Sequence, residues 1–74
     1  MKALIKTAGQ VREALKTDMP ANKFQVRANR HGGWDETIEV RTNIETLTDP
    51  ETFWAIARRF ETRTIVIDLL DLND

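Results

Sequence analysis

The residues of this sequence best suited to chemistry lie in the stretch from Arg27 to Arg41. This stretch holds the single histidine, two of the three glycines and one of the two tryptophans. Arginine and tryptophan are frequent anchors of protein interfaces, and they also pair with and stack on nucleic acid. The pattern favours a binding surface whose candidate contacts are Arg27, Arg30, His31, Trp34 and Arg41.

The residue types give little support to catalysis. The chain contains no cysteine and no serine, which excludes a cysteine–histidine pair and a serine-based triad. Gly32-Gly33 lacks the further glycines and the Lys-Ser/Thr of a phosphate-binding loop. His31, Asp35 and Glu36 carry metal-binding atoms, but their spacing is not that of a recognised site. We therefore expect no enzymatic activity, no metal, no cofactor and no small-molecule substrate.

A second candidate surface is acidic and lies towards the C-terminus. Residues 1–42 carry eight Lys/Arg against five Asp/Glu, whereas residues 43–74 carry three against seven. Such a split arises easily by chance in a small domain, but it is also typical of a bipolar surface. Because residues three apart on a strand face opposite sides, Asp68 and Asp71 are expected on opposite faces. The acidic alternative comprises Asp68, Asp71 and Asp74, with Glu45, Asp49 and Glu51.

The elements that position these residues begin with two amphipathic helices. Apolar residues of the first segment recur at helical spacing: Leu4, Ala8, Val11 and Leu15. The run from Thr7 to Gln10 has the form of a capping box, which predicts a helix over about 8–18, with an alternative start at Lys2. Pro20 ends this helix. Asp49-Pro50-Glu51 is typical of a helix start and predicts a second helix over about 50–61.

Three strands complete the predicted fold. Apolar and polar residues alternate over 23–29 and over 37–42, and the two glycines between these segments suit a reversal of the chain. A β-branched, apolar run predicts a third strand over 64–70. The expected fold is a single α+β domain over residues 1–74, with a mainly antiparallel three-stranded sheet, two helices on one face and the order α-β-β-α-β. The predicted core is Leu4, Val11, Leu15, Phe24, Val26, Ile38, Val40, Phe53, Ile56, Phe60, Ile65 and Ile67.

Composition places the chain among globular proteins. Hydrophobic residues make up 41% and charged residues 31%, which is not the balance of a disordered segment. No apolar run approaches the roughly 20 residues of a membrane span. The apolar patch at the N-terminus is too short for a secretory signal. These features predict an intact, soluble, cytoplasmic protein with no membrane partner.

One resemblance covers about half of the sequence, over residues 7–42. Leu15-Lys16 and Pro20 are followed by a Lys-Phe-Gln-Val-Arg strand over 23–27, by Gly32-Gly33 and by the Ile-Glu-Val strand over 38–40. This order resembles a domain of large polyvalent proteins of phages and conjugative elements, family twenty-nine of that series. Gln25 stands where the family tends to serine, and residues 41–43 replace its Trp-x-Asp-Gly-Pro segment. The resemblance implies a mobile-element origin, no established enzymatic activity, and host proteins associated with DNA transfer and with countering host defences.

Two functions from different classes follow from these observations. The first is a small phage or plasmid protein that acts by protein–protein contact as a stoichiometric inhibitor or adaptor on a host defence complex, of the anti-CRISPR or anti-restriction type. The alternative is a nucleic-acid-binding accessory module that uses the basic hairpin. The net charge of −1 argues against the second, because phosphate contacts need a local positive surplus.

Overall fold

The computed structural model describes residues 2–30 and 36–72 of the chain. A short 3₁₀ turn, Ile44–Thr46, follows the second strand. The regular elements, in chain order, are α1 (Lys2–Asp18), β1 (Gln25–Arg30), β2 (Glu36–Thr42), α2 (Pro50–Phe60) and β3 (Ile65–Asp71). The expected α+β class and the order α-β-β-α-β are confirmed.

The sheet is mixed and has β2 at its centre. β1 pairs with β2 antiparallel, with Val26 opposite Val40 and Ala28 opposite Ile38. β3 lies on the other side of β2 and runs parallel to it, with Ile67 opposite Ile38. The parallel pairing follows from the connection, because α2 carries the chain back across the sheet before β3 begins.

Both helices pack on one face of this sheet. The buried residues of the three strands share that face and form one cluster with the apolar stripes of α1 and α2. Phe24, Phe60 and Ile65 are half-buried at the margin of this cluster rather than inside it, so their placement in the core was wrong. The cluster contains Leu4, Ala8, Val11, Leu15, Met19, Val26, Ile38, Val40, Phe53, Ile56, Ala57 and Ile67.

Helix α1 begins at Lys2, the earlier of the two predicted starts. Thr7 therefore lies inside the helix, and the capping-box assignment of Thr7 and Gln10 was wrong. The reason is that Leu4 belongs to the buried stripe, so packing against the core extends the helix toward the N-terminus. At the other end, the Met19 N–H donates to the Leu15 carbonyl at 2.8 Å, and Pro20 then prevents continuation.

The start of α2 has the predicted cap. Asp49 accepts a hydrogen bond from the Thr52 N–H at 3.1 Å, and Pro50 occupies the first turn, where no N–H is needed. The Thr52 hydroxyl donates to the same carboxylate. These hydrogen bonds, first the one from the hydroxyl and then the one from the N–H, hold the pKa of Asp49 below its ordinary value of 3.8.

A pH titration of stability tests this cap. A carboxyl whose folded-state pKa is depressed stabilises the fold above its unfolded-state pKa and loses that contribution as the pH falls through the folded-state pKa. Asp49→Ala is therefore expected to lower the Tm at pH 7, and its deficit relative to wild type should shrink below a pH of about 4. A deficit that stays constant down to pH 2, measured by thermal melts, would contradict the role of the ionised cap.

Candidate binding surface

The structure brings together two of the five predicted contact residues on the sheet face that no helix covers. Arg27 on β1 and Arg41 on β2 both face this side. Arg30 is the last residue of β1 and lies opposite Glu36 in the register. His31 and Trp34 lie outside the described residues.

Glu39 occupies the middle of the uncovered face. The register places it between Arg27 of β1 and Asp68 of β3. Its carboxylate accepts a hydrogen bond from Asn29 Nδ2 at 2.9 Å, and its other oxygen lies 3.8 Å from Arg41 Nη2. The second distance defines an ion pair between Glu39 and Arg41 of the same strand. This pair offsets part of the charge of Arg41.

Helix α1 adds two cations that are not among the contact residues predicted from the sequence. Arg12 and Lys16 are four residues apart and therefore lie on one side of the helix. The Arg12 guanidinium donates to the Val26 carbonyl at 3.0 Å. The Val26 carbonyl that accepts this bond points away from β2. The bond therefore fixes Arg12 against the outer edge of β1.

The start of β1 is held in place from two directions. The buried Thr42 hydroxyl donates to the Lys23 carbonyl at 2.8 Å. The Phe24 ring stacks on Phe53 of α2, with the ring centroids 6.0 Å apart and an interplanar angle of 18°. Lys23 and Phe24, which directly precede β1, are thus held in a fixed position beside the exposed side chains of Arg12 and Lys16.

These elements form two adjoining clefts of about 430 and 370 Å³, which we call the basic groove. The two clefts share Arg12, Phe24 and Gln25. Phe24 and Leu72 supply apolar surface to the first cleft. The cations that line the groove are Arg12, Lys16, Lys23, Arg27 and Arg41.

No ion pair among the described residues joins four of these five cations to an acidic side chain. Glu39, which also lines the second cleft, pairs with Arg41, and a further ion pair joins Arg59 to Asp18 at 4.0 Å. Arg12, Lys16, Lys23 and Arg27 therefore gather around apolar surface, and positive charge exceeds negative charge in the lining of the groove. A pre-formed concave site with convergent like charges is suited to an anionic ligand or partner.

The described residues of the acidic alternative do not come together in one cluster. Asp68 is exposed on the uncovered face of β3, whereas Asp71 lies opposite Thr42 on the helix-covered face, so the prediction that they face opposite sides is confirmed. Asp74 lies outside the described residues. Glu45, Asp49 and Glu51 are exposed on the 3₁₀ turn and at the start of α2.

A search for metal ligands in residues 2–30 and 36–72 finds no group of three or more His, Cys, Asp or Glu side chains placed to hold an ion. In the same residues, neither helix combines the length and the apolar character needed to cross a membrane.

Comparison with known proteins identifies no relative. No family model, no curated protein and no solved structure matches this chain. The residues and their geometry therefore carry the functional interpretation.

Proposed function

We propose that this chain is a non-catalytic binding domain that uses the basic groove to hold an acidic segment of a larger protein partner. The observation that carries the proposal is the convergence of Arg12, Lys16, Lys23 and Arg27, from α1 and from the segment over 23–27, with no ion pair to an acidic side chain in the described part of the chain. Charges placed this way steer an acidic partner to the groove and fix its orientation.

The apolar part of the groove favours protein over nucleic acid. Phe24 and Leu72 lie among the cations, which suits a peptide that presents an apolar side chain beside its carboxylates. The overall charge of −1 also means that a long phosphate backbone would meet repulsion beyond the groove. A second candidate, binding of single-stranded nucleic acid, is favoured by the half-buried Phe24 ring beside the cations, where a base would stack.

The cellular setting of the proposal comes from the resemblance over residues 7–42. On that basis the partner is a host defence or DNA-processing complex in the bacterial cytoplasm, and the chain is a phage or plasmid protein that acts on it as a stoichiometric inhibitor or adaptor. The contacts predicted from the sequence at the hairpin, Arg30, His31 and Trp34, stay part of the proposal as further candidate contacts.

A pair of charge-matched variants tests the groove. The groove variant changes Lys16, Lys23 and Arg27 to Gln, and the control variant changes the exposed Lys6, Arg58 and Arg63 to Gln, so that both lose three positive charges. Wild type and control are expected to retain the same protein in a pull-down from host lysate, whereas the groove variant should bind it about tenfold more weakly, with a reduced dependence on salt. Affinities are measured with the recovered protein.

Two outcomes would overturn this proposal. Equal binding by the groove and control variants would place the contact elsewhere, and loss in a Trp34→Ala variant alone would place it at the hairpin tip. Tight, steeply salt-dependent binding of a single-stranded oligonucleotide by wild type, lost in the groove variant, would establish the second candidate instead.

A further inference from the structure

The outer edge of β3 lies on the side of the sheet remote from the basic groove. In a parallel pair, alternate residues direct their N–H and C=O groups to the neighbouring strand. The Thr64 carbonyl accepts from the Glu36 N–H at 2.7 Å, and the Leu72 N–H donates to the Thr42 carbonyl at 2.8 Å. The even-numbered residues of β3 therefore face β2, and the odd-numbered residues direct their backbone groups outward.

The chain itself satisfies the first part of this outer edge. The Ile65 N–H donates to the Thr62 hydroxyl, and the Ile65 carbonyl accepts from the Thr62 N–H, both at 3.0 Å. The Ile67 N–H donates to Glu61 Oε2 at 3.4 Å. Beyond that point, the described residues provide no partner for the Ile67 carbonyl or for the N–H and carbonyl of Leu69.

The two edges of the sheet differ in the charged side chains bonded to them. On β1, the Arg12 guanidinium occupies the Val26 carbonyl and places a long charged side chain along the edge. Natural proteins protect edge strands in this way against pairing with another chain. On β3, Ile67 is only 3% exposed, whereas the N–H and carbonyl of the half-buried Leu69 have no long charged side chain bonded to them.

The side chains beside this edge define what would pair with it. Val66 and Leu70 lie on the uncovered face, where Val66 is 37% exposed. Asp68 is exposed between Val66 and Leu70. An added strand would therefore place apolar side chains beside the apolar residues and a cation beside Asp68, since cross-strand neighbours of opposite charge stabilise a sheet.

We propose that the outer edge of β3 binds an extended segment of a partner protein as a fourth strand, with Lys or Arg beside Asp68 and apolar side chains beside Val66 and Leu70. Backbone hydrogen bonds to the N–H and carbonyl of Leu69 supply affinity, and the alternating side chains supply specificity. A second copy of β3 is a poorer occupant, because it would bring its own Asp68 and Asp71 to an edge that already carries both. This surface lies apart from the basic groove and does not depend on it.

A designed peptide serves as the probe. It is a capped eight-residue peptide that alternates valine with lysine, and its control has the same length and charge but carries two internal prolines in place of valines. Titration into the full chain is followed by the amide signals in NMR and by hydrogen exchange. The alternating peptide is expected to shift the Leu69 amide signal and slow its exchange, and the proline control is expected to do neither, because it cannot pair as a strand.

Two variants locate the contact. Leu69→Pro removes the outward N–H without touching the bonds to β2, and Leu69→Ala removes the side chain but keeps the N–H, so only the first should abolish binding. Asp68→Lys should weaken binding of the lysine peptide about fivefold and strengthen binding of a glutamate version by a similar factor. If Leu69→Pro fails to fold, Asp68→Lys still tests the contact, because Asp68 is exposed. The groove variant should bind the lysine peptide as wild type does.

Three results would overturn the proposal. The first is an unchanged Leu69 amide at millimolar peptide. The second is equal binding of the lysine and glutamate peptides to wild type. The third is a doubled molecular mass with the Leu69 amide already protected in the absence of peptide, which would make a second copy of the chain the occupant.

Discussion

Phe53→Ala is expected to lower the free energy of unfolding by about 3–5 kcal/mol. Phe53 is a residue of α2 with none of its surface exposed, and it packs in the cluster that joins both helices to the sheet. Its ring stacks on Phe24 and meets Trp54 edge to face, with centroids 5.0 Å apart in the second pair. Truncation would therefore leave a cavity and also remove the support of Phe24 in the basic groove. Denaturant unfolding at equilibrium measures the loss.

Phe60→Ala is the matched control for this prediction. Phe60 lies on the same helix, but it is half-buried, and its ring meets the Arg59 guanidinium at 5.6 Å from the centroid. Because the ring already contacts solvent, its removal should cost only about 1–2 kcal/mol. Equal losses in the two variants would show that the core does not centre on Phe53.

The difference between these two phenylalanines shows how far the sequence predicts the core. Phe53, Ile56 and Phe60 recur at helical spacing, so periodicity treats all three as buried. Burial depends also on where the helix ends relative to the sheet. Phe60 is the last residue of α2 and is only half-buried there. The spacing of apolar residues within one helix does not show where the sheet stops covering that helix.

The fold was predictable because its local signals agree with each other. The Asp49–Pro50 start of α2 and the alternation in β1 and β2 each specify an element within a few residues. The start of α1 was less predictable, because Thr7 offers a plausible cap while Leu4 joins the core through tertiary contacts. The direction of β3 depends on the path of α2 across the sheet, and the β-branched run over 64–70 does not encode it.

The basic groove was only partly predictable for a spatial reason. Arg27 and Arg41 lie on the two strands of the predicted hairpin, and Lys23 directly precedes the first of them. Their proximity therefore follows from strand pairing. Arg12 and Lys16 differ, since the sequence places them on the polar side of a helix without saying which strand edge lies beside them. The bond from Arg12 to the Val26 carbonyl answers that question.

The uneven charge of the sequence has a spatial counterpart in the two sheet edges. The positive surplus of residues 1–42 is concentrated where α1 and β1 form the basic groove. Asp68, from the acidic half, lies on β3 at the opposite edge. The two edges of the sheet therefore differ in charge, and β2 separates them.

Asn22→Ala is expected to lower the free energy of unfolding by about 2–3 kcal/mol, a large effect for one polar side chain. Asn22 is 9% exposed and joins the loop after α1 to the segment before α2. Its Nδ2 donates to the Thr46 carbonyl at 2.8 Å, and its Oδ1 accepts from the Thr48 hydroxyl at 2.9 Å and from the Thr48 N–H at 3.4 Å. Alanine would leave the groups of Thr46 and Thr48 without these bonds.

Two further substitutions separate this bridge from simple loss of volume. Asn22→Asp keeps an acceptor for Thr48 but replaces the donor to the Thr46 carbonyl with an oxygen, so at pH 7 it should destabilise the fold at least as much as alanine does. Thr48→Ala removes one arm of the bridge and should cost less than half as much. Because Lys23 follows Asn22 directly, loss of the bridge should also loosen the entrance of β1 and weaken binding in the basic groove. Denaturant melts that place Asn22→Ala within about 0.5 kcal/mol of wild type would contradict the structural role of the bridge.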